Sequence, residues 1–144
     1  MKFRHGVASA FVGMALLAAG ASQAQERWVC EMKGDWSEIE SGEKGRFNWN
    51  VNWVAQSSDW KLTGRAAESL GRSDLNGRCG DNTCQLRQTY TSGDLKGETF
   101  HWRGRYTETF PNENTSVLKF QGDWGGAPKQ VDGKWTAQGR CTRG

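Results

Sequence analysis

The side chains with most chemistry to offer in this 144-residue sequence are four cysteines, eight tryptophans and a single histidine beyond the first two dozen residues. The cysteines stand at 30, 79, 84 and 141. Zinc would call for Cys-x2-Cys spacing or histidine partners. The spacing is wrong and His101 is alone, so no metal is expected. Catalysis finds little support either. The sequence holds no Gly-x-Ser-x-Gly elbow, no His-Glu-x-x-His and no phosphate-binding glycine loop. His101 can serve as a base, but no nucleophile is set beside it by sequence. A non-catalytic protein without a cofactor is expected.

The cysteines take their meaning from the amino terminus. Lys2, Arg4 and His5 precede an apolar stretch from Val7 to Ala19, which ends in Ala21-Ser22-Gln23-Ala24. This is the pattern of a secretory signal cleaved after Ala24. The stretch is interrupted by glycine and shorter than the roughly 20 apolar residues of a membrane span. Cys30 is too far from the cleavage point to carry a lipid, so no membrane anchor is expected after cleavage. The remaining residues, 25–144, suffice for one domain with one core. Residues 1–24 hold two of the nineteen basic residues and no acid, which leaves seventeen bases against sixteen acids. A balance of +1 makes no case for nucleic acid or a charged membrane surface. Four cysteines in a small periplasmic or secreted domain read as two disulfides, with three possible pairings.

Alternate residues form rows: Cys30, Met32, Gly34, Trp36; Trp60, Leu62, Gly64, Ala66; Phe100, Trp102, Gly104, Tyr106; Leu118, Phe120, Gly122, Trp124; and Trp135, Ala137, Gly139, Cys141. Each is apolar with one glycine, and the residues between are mostly polar. A period of two marks half-buried antiparallel strands. Phe47, Trp49, Val51 and Trp53 add a row without glycine, backed by Asn48, Asn50 and Asn52. Two further strands flank the Gly80-Asp81-Asn82-Thr83 turn. Eight strands are predicted, at about 28–36, 46–54, 59–67, 74–79, 84–91, 98–108, 115–124 and 133–141. Eight sequential strands can close as an up-and-down β-barrel. Cys30 and Cys141 lie in the inward rows of the first and last strands, so a bridge between them would lock the seam. Cys79–Cys84 would bridge the middle hairpin.

Cys30-Glu31-Met32-Lys33-Gly34-Asp35-Trp36 resembles the Gly-x-Trp opening of calycins, the superfamily of avidins and lipocalins. Val51-Asn52-Trp53, with Thr63-Gly64 further on, is similar to an inner avidin strand pair. The resemblance implies a ligand-holding barrel in which Trp53 and Ser58 match residue types that contact ligand, and Trp36 of the opening motif is a further candidate contact. Two positions depart from it. Glu38 stands where avidins place an asparagine, and Trp60 where they place a small hydroxyl residue. Biotin is therefore not carried over.

Three functional expectations follow. Trp53 and Trp60, at strand ends near Gln56-Ser57-Ser58-Asp59, would flank a barrel mouth that holds a small apolar or aromatic molecule, although core packing explains the same indoles. Glu38, Glu40 and Glu43 form an acidic first loop able to enter the basic cleft of a secreted or cell-wall hydrolase such as a lysozyme, or simply to face water. A structural role in the envelope is the third. Among outward residues, His101, Arg103, Arg105 and Lys119 can bind an anion or pair with Glu108, Glu113 and Asp123.

Overall fold

The structure is a computed structural model that describes residues 25–144. The expected signal sequence and its cleavage point lie outside the described residues. Eight strands follow one another: β1 (Arg27–Glu38), β2 (Lys44–Ala55), β3 (Trp60–Glu68), β4 (Gly71–Gly80), β5 (Thr83–Tyr90), β6 (Thr99–Asn112), β7 (Thr115–Gly125) and β8 (Gly133–Arg143). Each pairs antiparallel with the next, and β1 pairs with β8, which closes the barrel. Among the described residues all regular structure is strand.

The inward rows read from sequence are the core. Trp28, Cys30, Met32, Trp49, Trp53, Leu62 and Leu118 are all essentially inaccessible to solvent. Several inward-facing glycines give rings a place to lie. Gly34 pairs with Phe47, and a Cβ added there would sit 2.3 Å from the Phe47 ring. Gly45 pairs with Trp36 and Gly133 with Trp124, each with the indole over bare backbone. This is how a narrow barrel accommodates rings of this size.

Two strand limits differ from expectation by more than two residues. β4 starts at Gly71, well before Leu75, its first apolar inward residue. β6 continues to Asn112 through Pro111, with a register shift against β7 between Thr109 and Asn112. A proline is tolerated there because the ladder is already interrupted. Asp81 and Asn82 both have positive φ, 53° and 62°, at the centre of the two-residue β4–β5 turn, a geometry that Asn and Asp tolerate.

Both disulfides form as expected. Cys30 is directly opposite Cys141 across the seam, and Cys79 opposite Cys84 across the hairpin. The seam bridge spans 111 positions and the hairpin bridge 5. The loop-closure argument gives about 5 kcal/mol for the first and about 2 kcal/mol for the second. Replacing each pair by alanine and comparing denaturant midpoints is expected to show that the seam pair costs the barrel at least twice as much as the hairpin pair.

Candidate functional site

The two ends of the barrel are built differently. At one end lie the links 56–59, 81–82 and 113–114 together with the chain termini. Both disulfides belong to this half. Trp28 closes it: its indole donates to Glu26 at 3.1 Å, while the Arg143 guanidinium lies 4.8 Å above its ring. Trp53 and Trp60 stand below, 6.4 Å apart and buried, with Tyr106 and Phe120 against Trp53. The expected mouth between Trp53 and Trp60 is thus a packed floor, because their strand ends face the stapled side. Ser58 is exposed in the 56–59 link at that same end.

The other end is open. The links 39–43, 69–70, 91–98 and 126–132 surround a cavity of about 480 Å³. Four rings form one continuous wall. Trp36 meets Trp124 edge-on at 5.9 Å, Trp124 meets Phe100 at 5.9 Å, and Phe100 meets Tyr90 at 5.9 Å. Trp102 lies behind Trp124, also at 5.9 Å. The Trp124 indole is anchored by donation to the Ser37 carbonyl at 3.2 Å. Ile39, Leu70 and Val131, three of the four exposed large apolar residues among those described, add to the rim. A half-open cavity of this size with aromatic walls is the usual form of a small-molecule site.

The floor is polar and highly ordered. Glu68, one step beyond Ala66 in its inward row, lines the cavity. Its carboxylate accepts from Gln88 Nε2 at 2.8 Å, Tyr90 Oη at 3.2 Å and Trp49 Nε1 at 3.4 Å. Gln88 is fully buried and uses the rest of its amide, donating to Ser73 Oγ at 2.8 Å and accepting from Trp102 Nε1 at 3.0 Å. A buried amide with both ends engaged cannot flip, so the direction of the whole array is set. Sequence reasoning missed Glu68, Gln88, Tyr90, Phe100 and Trp124 as site residues. The available signal was a polar residue, Gln88, interrupting an apolar row.

Of the residues expected to contact ligand, Trp36 alone lines this cavity. Glu38, Glu40 and Glu43, expected to face a protein, stand on its rim together with Asp132. Asp132 receives the Gly126 N–H at 2.8 Å and the Gln130 side chain at 2.7 Å, and these bonds hold its carboxyl below the usual range. Its carbonyl accepts from Ile39 N–H, which ties the β1–β2 and β7–β8 links together. Arg103 pairs with Asp123 at 2.9 Å and donates to the carbonyls of Pro128 and Gln130. It is a brace for the β7–β8 link. Glu108 does not pair on the outer face as expected. It faces inward and accepts from buried Ser116 at 2.9 Å. Among the described residues no group of three His, Cys, Asp or Glu side chains is arranged to hold a metal.

No protein-family model and no curated protein matches the sequence. Among solved structures the chain is similar to the ywiB protein from Bacillus subtilis, with a TM-score of 0.50 over 88% of this chain and 98% of that one. The two are 7% identical, so the likeness concerns the fold alone.

Burial and the Glu68 charge beside it push the Tyr90 phenol well above its ordinary value of 10.0. The folded state holds this proton more tightly than the unfolded chain, so its stabilising effect is complete below pH 10 and is lost above it. Denaturation measured across alkaline pH is expected to show stability falling above pH 10, with a shallower fall in Tyr90→Phe.

Proposed function

We propose that this is an exported, non-catalytic binding protein of the periplasm or the extracellular space, which holds a small molecule with an apolar or aromatic body. The observation that carries the reading is the asymmetry of the barrel: one end is filled with indoles and stapled, while the other keeps an aromatic-walled cavity of about 480 Å³. Trp36, Trp124 and Phe100 pack against one another and still leave an opening that they line. The calycin-like Gly34-Asp35-Trp36 supports the same reading, since avidins and lipocalins are barrels that hold one small ligand. The ligand-contacting set becomes Trp36, Trp124, Phe100, Tyr90 and Trp102 in place of Trp53, Trp60 and Ser58. The cysteine pairing supports export, because bridges of this kind persist in oxidising compartments.

The test uses the eight indole N–H signals as position markers. Titration with small aromatic probes is expected to shift the signals of Trp36, Trp102 and Trp124 and to leave those of Trp53 and Trp60 in place. A response confined to Trp53 and Trp60 would put the site at the wrong end.

A second reading has its own observation. Ile39 is 61% exposed on the β1–β2 turn, flanked by Glu38 and Glu40, which suits insertion into a basic cleft of a hydrolase. If such a target is found, Glu38→Gln, Glu40→Gln and Glu43→Gln together are expected to lower the association rate about tenfold and flatten its salt dependence. An unchanged rate would remove this reading.

A further inference from the structure

The cavity has a sign. The ionisable side chains that line it, apart from the Tyr90 phenol, are Glu38, Glu40, Glu43, Glu68 and Asp132, and none is basic. Lys96 and Lys129, in the links around the opening, are exposed and do not line the cavity. Lys61, Arg65, Arg72, Arg87, Arg105 and Lys119 all lie exposed on the outward faces of β3 to β7. The charge that lines the cavity is thus all negative, and low-dielectric walls focus its field.

A rim of carboxylates alone is no more than a solvated edge. Here two further features accompany it. Four aromatic rings in mutual contact line the wall, and the negative face of an aromatic ring attracts a cation lying over it. Below them Glu68 lines the cavity, with its carboxylate already aimed by three donors. An ammonium group entering the cavity therefore meets a fixed counter-ion, and no ordering cost is left for the protein to meet. Tyr90 keeps its proton because burial and the Glu68 charge oppose its loss, so the phenol stays a donor to Glu68 and adds no second negative charge beside it.

We propose that the cavity binds an organic cation, a small molecule carrying an ammonium group on an apolar or aromatic body, with Glu68 as counter-ion and Trp36, Trp124 and Phe100 around the charge. This rests on the small-molecule reading above and names the ligand class for the same site. An anionic ligand of equal size is opposed by the five carboxyl groups around the cavity, and a neutral one gains nothing from the Glu68 charge.

Three probes sharing one ring test the inference: benzyltrimethylammonium, benzyl alcohol and phenylacetate, each titrated into the disulfide-bonded protein while indole N–H signals are followed. The cation is expected to bind at least about tenfold more tightly than the alcohol, phenylacetate to give no saturation, and added salt to weaken the cation alone. Glu68→Gln is expected to lower cation affinity about tenfold and to leave the alcohol unchanged. Should Glu68→Gln unfold, Glu38→Gln with Glu40→Gln removes rim charge from residues outside the floor network, and is expected to reduce the cation's affinity about threefold. Equal binding of cation and alcohol, with shifts at Trp36 and Trp124, would overturn the cation assignment and leave the cavity as a small-molecule site. No saturable shift from any of the three at about 5 mM would overturn both readings.

Discussion

The barrel depends on laying aromatic rings across bare backbone. Phe47 covers Gly34, Trp36 covers Gly45, Trp135 covers Gly104, and Trp124 covers Gly133. In three of these the ring belongs to the residue paired with that glycine on the neighbouring strand. Trp135 lies over Gly104 from two strands away, across Gly122. An eight-stranded barrel is only wide enough to be filled by ordinary side chains, so rings of this bulk fit only where a neighbour has none. The requirement also orients them. A ring held flat on a strand cannot turn toward the axis, and the rings near the open end therefore line a space that they do not fill.

That space has a polar base inside an apolar wall, which is costly unless every group is paired. The array meets the condition through Gln88. Its amide links Trp102, Ser73 and Glu68, and Glu68 in turn gathers Trp49 and Tyr90. Two of the indoles that pack the core thus carry a second role through their N–H groups. Core and site share residues, so the geometry of the cavity is as rigid as the packing beneath it.

The fold could be read from residue order because its signal is local. A period of two in apolar residues reveals strands, and inward Cys30 and Cys141 in the first and last rows reveal closure. The site was harder to read because it depends on which end of the barrel each strand terminus reaches. Trp53 and Trp36 both stand near strand ends, but Trp53 lies at the end of β2 beside the stapled links, and Trp36 near the end of β1 beside the open ones. Glu38, Glu40 and Glu43 were legible as an acidic turn, although their proximity to a cavity required the four links to be placed around it. Glu68 and Glu108 were hidden too. Glu68 continues its inward row one step past Ala66, where the pattern no longer separates inside from outside, and Glu108 interrupts its row between Tyr106 and Phe110.

Both covalent cross-links lie in the closed half, and this divides the chain into a part that must stay as it is and a part that is free to vary. The links 39–43, 69–70, 91–98 and 126–132 connect strands whose far ends are already held together. Lengthening such a link adds little entropy cost, since that cost rises only logarithmically with length. Insertions and substitutions around the opening can therefore accumulate without loosening the foundation. Variants of this barrel can thus differ widely around the opening while keeping one cysteine framework and one set of buried indoles.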